Sequence, residues 1–221
     1  MRWLVCLLFA LHVAAEPRPL TPEETARFAA VGRVVAPVPL GSGTGVLLRP
    51  GAVLTSAHLL YHGKVLRAPL HAYRFVYGET LEAACSVTGA EKLPALDAAL
   101  LQVDCGAGAG VALTSVDCAS ASGAATVVAF HGDVGGGWER RIERCRYRRV
   151  DEQRVIAGCR AYSLTSGAPV VAFANDGARL LGVMRGLGMG ADADGFPDWL
   201  ARYAVVSTVP ADAVQLMCAS P

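Results

Sequence analysis

Three short segments of this 221-residue chain carry side chains that can act together on a carbonyl carbon. His58 ends the run Leu54-Thr55-Ser56-Ala57-His58, shortly after Gly41-Ser42-Gly43-Thr44-Gly45. Asp97 lies in Leu96-Asp97-Ala98-Ala99-Leu100-Leu101, and Ser166 in Thr165-Ser166-Gly167-Ala168-Pro169. A serine hydroxyl is a weak nucleophile at neutral pH. It needs an imidazole to take its proton and a carboxylate to hold that imidazole in the right tautomer. His58, Asp97 and Ser166 supply these three groups, with Asp104 and Glu91 as nearby substitutes for the carboxylate.

The order His58, Asp97, Ser166, each in an apolar strand-like setting, resembles the trypsin-like (chymotrypsin-fold) serine peptidases. In that family the histidine sits in T-A-A-H, here Thr55-Ser56-Ala57-His58. The aspartate opens a D-[IL]-A-[LV]-[LI] strand, here Asp97-Ala98-Ala99-Leu100-Leu101, and the serine lies in G-D-S-G-G-P-V, here Leu164-Thr165-Ser166-Gly167-Ala168-Pro169-Val170. Together the motifs span nearly the whole mature chain. The resemblance is greatest to the bacterial secreted branch, whose Gly-x-Gly-Thr-Gly approach to the histidine strand lacks the cysteines that bracket the histidine in animal enzymes.

The resemblance implies a serine endopeptidase working through an acyl-enzyme, with His58 as base, Asp97 as its orienting carboxylate and Ser166 as nucleophile. It also implies an oxyanion hole made by the backbone N–H groups of Leu164 and Ser166. Leucine stands there where the family has glycine, Thr165 replaces an aspartate and Ala168 a glycine, so activation through an aspartate and a newly cut N-terminus is not available. The residues Glu16-Pro17-Arg18-Pro19 are expected to be stiff and exposed. The substrate pocket falls on Arg160 as its floor and on Val183, Met184, Arg185 and Gly186 as its wall. A basic floor implies a preference for an acidic residue before the scissile bond. The three replacements in the serine loop, with Arg185 in place of a frequent aromatic residue, also motivate an alternative: a catalytically impaired member of the same fold that binds proteins or peptides.

The elements that must position these groups read as short strands. Apolar runs at residues 45–48, 52–55, 73–77, 98–103, 125–130, 153–157, 170–173, 180–184 and 203–207 alternate with glycine, proline and aspartate punctuation, the mark of an all-β barrel or sandwich. No long amphipathic repeat separates them, which argues against βαβ units. Gly106-Ala107-Gly108-Ala109-Gly110 reads as a linker. The expected fold is therefore all-β: two antiparallel six-stranded barrels, residues 16–110 with His58 and Asp97 and residues 111–221 with Ser166, the site in the cleft between them. A short C-terminal helix is expected over 210–217, with Pro210 in its first turn.

Composition sets the remaining bounds. The chain is 53% hydrophobic with a net charge of +1, which gives no electrostatic reason to expect nucleic acid or an anionic membrane as partner. Residues 139–149 are arginine-rich, but interleaved glutamates fit a solvated hairpin. Residues 1–15 read as a secretory signal, cut after Ala15, and no segment is apolar over the ~20 residues a spanning helix needs. A secreted or periplasmic monomer acting on protein or peptide is expected, without cofactor or metal. His58 and His62 have the spacing of a metal pair but lack a third ligand, and Asp192-Ala193-Asp194-Gly195 lacks the closing glutamate of a calcium loop. Once Cys6 leaves with the signal, six cysteines remain and allow 15 pairings. Their positions favour Cys85–Cys105, Cys145–Cys159 and Cys118–Cys218.

Overall fold

The computed structural model describes residues 16–77, 84–93, 96–105, 115–116, 122–132, 138–149, 154–157, 159, 164–174, 177–188 and 203–208. Twelve strands, β1–β12, form two barrels. The first contains β1 (Val31–Val35), β2 (Gly43–Arg49), β3 (Ala52–Thr55), β4 (Arg74–Tyr77), β5 (Ala84–Lys92) and β6 (Ala99–Asp104), closed in the order β1-β2-β3-β6-β5-β4. The second contains β7 (Ser122–Gly132), β8 (Trp138–Arg149), β9 (Arg154–Ala157), β10 (Pro169–Ala174), β11 (Gly177–Gly188) and β12 (Tyr203–Thr208). It closes through β7-β8-β9-β12-β11-β10 and back to β7. Counted within each half, the two rings have the same order, so one topology is used twice. All twelve barrel pairings are antiparallel.

Burial follows from which faces are covered. In β6, Ala99, Leu101 and Val103 are buried, while Gln102 and Asp104 are exposed, the period-2 pattern of a strand with one wet face. In β2 the first six residues and in β3 all four are buried. Their inner face fills the barrel beside Val34, Phe75 and Leu101, and their outer face lies under the second barrel. This second covering is why Thr44 and Thr55, polar residues in strands, have no exposed surface. The second barrel has its own core of Val127, Ala129, Tyr147, Val170, Leu181 and Met184.

The runs expected from the sequence coincide with β2–β4, β6, β7 and β9–β12, and the arginine-rich segment forms β8, paired along its length with β7. Among the elements outside those runs are β1, β5 and one helix. β1 is interrupted by Gly32 and Arg33, and β5 by Ser86, Thr88 and Gly89. Helix α1 (Pro22–Arg27) is a single capped turn: the Thr21 hydroxyl accepts the Glu24 N–H, and the Glu24 carboxylate accepts the Thr21 N–H at 2.9 Å. Arg18 and Pro19 pair with Ile142 and Arg141 of β8 and remain exposed.

Disulfides join Cys85 to Cys105 across the β5–β6 pair and Cys145 to Cys159 beyond the β8–β9 pair. The signal segment, the linker at 106–110, the helix expected over 210–217, the loop at 192–195, Arg160, Cys118 and Cys218 lie outside the described residues. Among the described residues no helix is long and apolar enough to cross a membrane.

Candidate functional site

His58 lies in a 3-10 turn, Ala57–Leu59, entered directly from β3. Its main chain and its ring are both fixed by Asp97. The His58 backbone N–H donates to Asp97 Oδ1 at 2.9 Å, and Nδ1 lies 2.7 Å from Oδ2. A carboxylate can only accept, so Nδ1 carries the proton, and in the neutral ring Nε2 then presents a lone pair. The Ala57 N–H donates to the Asp97 carbonyl at 3.2 Å. Asp97 is held just before β6, which pairs with β3, so one strand pair delivers both side chains. The His58 side chain is 42% exposed and that of Asp97 16%, so the ring is open to solvent and its anchor sheltered.

Ser166 comes from the second barrel, on the turn before β10, and first-barrel residues hold that turn. The Thr44 N–H donates to the Ser166 carbonyl at 2.8 Å, and the Thr44 hydroxyl donates to the Leu164 carbonyl at 2.8 Å. The same hydroxyl accepts the Phe130 N–H at 3.1 Å, and the Thr44 carbonyl accepts the Thr55 hydroxyl at 2.7 Å. A second tie runs through Ser56, whose hydroxyl donates to the Met184 carbonyl at 2.6 Å, an oxygen that also accepts the Gly167 N–H at 2.7 Å. Gly167 sits at φ 81°, and a Cβ there would strike the Thr44 carbonyl and the Thr55 hydroxyl. The serine loop thus lies against β2 and β3 more closely than any other residue allows. Ser166 itself is partly exposed, and its hydroxyl makes no hydrogen bond among the described residues.

Leu164 has φ 78°, the sole non-glycine residue with positive φ among those described. The loop therefore demands a glycine-type conformation at this position, and leucine adopts it at a cost of about 1–2 kcal/mol. Its side chain lies against Gly132, where an added Cβ would come within 2.9 Å of Leu164 Cδ1. Neither Leu164 N–H nor Ser166 N–H is used in a hydrogen bond among the described residues, so both donors are unspent.

On the other side of Ser166 runs β11. Val183 and Met184 are buried and Gly186 pairs with Val205. The Arg185 side chain is 59% exposed, and its Nε lies 3.7 Å from Asp97 Oδ2, the oxygen that also receives His58. His62 is exposed on a two-residue strand, and no group of three His, Cys, Asp or Glu that could hold a metal occurs among the described residues. Thr44 and Ser56 have no part assigned to them from the sequence, although both stand inside its motifs; Arg185, expected in the pocket wall, also approaches Asp97.

Two antiparallel six-stranded barrels of identical ring order, docked so that side chains of both meet at their junction, define the chymotrypsin fold. No family model and no curated protein matches the chain. Among solved structures, a Glu endopeptidase in complex with MPD superposes with a TM-score of 0.71 at 14% identity, covering 92% of this chain and 95% of the other. An inactive-form mutant of Rv3671c from M. tuberculosis H37Rv superposes with a TM-score of 0.59 at 19% identity, covering 94% and 97%. At these identities the likeness is one of fold.

Proposed function

We propose that the protein is an exported serine endopeptidase that hydrolyses peptide bonds through His58, Asp97 and Ser166. The observation that carries this reading is the two-point grip of Asp97 on His58, at 2.9 and 2.7 Å, beside a serine turn hydrogen-bonded to the histidine's own barrel. In this mechanism Ser166 Oγ attacks the scissile carbonyl while Nε2 of His58 takes its proton. The Leu164 and Ser166 N–H groups receive the developing oxyanion, His58 returns the proton to the leaving amine, and water reverses the sequence to free the acid. Arg160 as pocket floor favours an acidic residue on the acyl side, in keeping with the Glu endopeptidase among the structural neighbours. No cofactor or metal has a part, and the protein acts as a monomer outside the cytoplasm or in a periplasm.

The second reading is a non-catalytic binding module of the same fold. It is favoured by the strained Leu164 and by a Ser166 hydroxyl that makes no hydrogen bond among the described residues. A fluorophosphonate probe separates the two. The peptidase gives a stoichiometric adduct on Ser166 of the folded, disulfide-intact protein, abolished in Ser166→Ala, whereas absence of the adduct leaves the binding module.

A further inference from the structure

β1 carries one charged residue, Arg33, and it is 9% exposed. Its register partner is Thr44. Directly opposed residues in an antiparallel pair project from the same face. Thr44 turns its hydroxyl to Leu164 and Phe130 of the second barrel, so Arg33 points the same way. There its guanidinium lies between two rings, 4.7 Å from the centre of Trp138 and 5.9 Å from that of Phe130. No carboxylate and no hydrogen-bond acceptor among the described residues pairs with it. Burial pulls its pKa down, with no charged neighbour contributing. Among the described residues the one fully buried side-chain polar atom without a partner is Tyr73 Oη, so the nitrogens of Arg33 keep contact with solvent. A guanidinium held in place by aromatic faces, sheltered, with its fork of donors unspent, is built to receive an anion.

Its neighbours say where that anion sits. Trp138 pairs with Gly132 across the β7–β8 ladder, and Gly132 supports the Leu164 side chain. Leu164, Gly132, Trp138 and Arg33 therefore form one ledge leading away from the serine turn. Met184 and Arg185 of β11 lie on the opposite side of that turn. A peptide whose acyl portion follows Val183 to Gly186 must lay its leaving portion over the Leu164–Trp138 ledge. We propose that this ledge is a leaving-group subsite in which Arg33, clamped between Phe130 and Trp138, binds the carboxylate of an aspartate or glutamate on the C-terminal side of the scissile bond. The assignment rests on the peptidase reading for its orientation and is distinct from any acidic preference of Arg160 on the acyl side.

The test uses internally quenched peptides that differ by Glu or Gln at each of the first three positions after the cleaved bond. The disulfide-intact wild type is expected to show a kcat/KM ratio of Glu over Gln of about tenfold or more at one of these positions, falling as salt is raised. In Arg33→Met that ratio falls to near one. Equal rates on Glu and Gln peptides in the wild type overturn the proposal whatever the variants do, and an undiminished ratio in a folded Arg33→Met protein does the same. Calorimetric titration of Ser166→Ala with the same peptides keeps the two readings apart. If fluorophosphonate leaves Ser166 unlabelled, the peptidase reading fails, while tighter binding of the Glu peptide, lost on Arg33→Met, still supports the anion subsite; equal binding of both peptides removes it.

Discussion

Leu164 offers a perturbation whose sign runs against ordinary expectation. Replacing leucine by alanine in place of glycine is usually the milder change, because glycine loses about 0.5–1 kcal/mol to backbone entropy. Here φ is 78°, so alanine keeps the positive-φ cost of about 1–2 kcal/mol while glycine removes it. Both substitutions lose the same contact with Gly132, worth on the order of 1 kcal/mol for a half-buried leucine. Leu164→Gly is therefore expected within about 1 kcal/mol of the wild type, and Leu164→Ala about 1 kcal/mol less stable than Leu164→Gly. For a chain of this size that is a difference of roughly 2–4 °C in Tm, measurable by calorimetry on disulfide-intact protein. The rate of fluorophosphonate labelling is read in parallel. On the peptidase reading the loop already holds its donors in place, so Leu164→Gly labels within a few-fold of wild type. A labelling gain of a hundredfold or more would mean that leucine misplaces a donor, since one oxyanion donor is worth roughly 3–4 kcal/mol. An alanine variant as stable as the glycine variant would refute the strain argument.

Asp97→Asn keeps an acceptor for the His58 backbone N–H, which turns the amide NH2 toward Nδ1 and puts the proton on Nε2; kcat/KM is expected to fall about 10⁴-fold, and a loss under tenfold counts against His58 as the base. Thr44→Val removes the hydroxyl that serves the Leu164 carbonyl and the Phe130 N–H, so denaturant unfolding should show a loss of about 2–4 kcal/mol, and a change below 0.5 kcal/mol would mean the barrels do not depend on this tie. His131 has its pKa lowered to about 4, first by burial and then by Arg141. Its unfolded form takes up a proton near pH 6.5, so stability is fully present above that value and is lost as pH falls toward 4, by roughly 1–2 kcal/mol because the ring keeps contact with solvent. The Tm-versus-pH curve of His131→Asn should be flatter than wild type across that window; parallel curves would sink the assignment.

How much of this was legible in the sequence depended on how each residue signals. Strands with one wet face, such as β6, alternate visibly, and strands covered on both faces, such as β3, read as unbroken apolar runs. β1 fits neither pattern because Gly32 makes room for Phe75 and Arg33 is sheltered by rings from another barrel, a contact some hundred residues away in sequence. β5 alternates, but with Ser86, Thr88 and Gly89 on its outer side and only Cys85 and Val87 as buried anchors. At the site, the side-chain types of His58, Asp97 and Ser166 announce themselves by chemistry. Arg185 reads from the motif as part of a pocket wall, whereas its contact with Asp97 depends on how β11 meets the first barrel. Leu164 is the reverse case: that glycine would suit its position is readable from the motif, and the positive φ bears that out.

The residues between the chemical groups explain why the motifs have the composition they do. Thr44 uses its N–H, its carbonyl and both capacities of its hydroxyl in four hydrogen bonds, three of them to Ser166, Leu164 and Phe130 of the second barrel. Valine would match its shape in a buried strand and satisfy none of the hydroxyl's partners, so a threonine is required there by the dock rather than by the strand. Ser56 is under the same demand, since the alanine commonly found in its place cannot reach the Met184 carbonyl. Glycines at 43 and 167 then let the two backbones approach, because a Cβ at either would meet the carbonyl of the opposite segment. Both sets are complete within the chain itself. They convert two separately cored barrels into a single frame in which the serine turn cannot shift without breaking hydrogen bonds to β2, the strand paired with the one that leads into His58. On the peptidase reading, the precision that nucleophilic catalysis needs is a property of the dock, and substitutions at Thr44 or Ser56 should lower stability and labelling of Ser166 together, whereas substitutions of His58 should lower labelling alone.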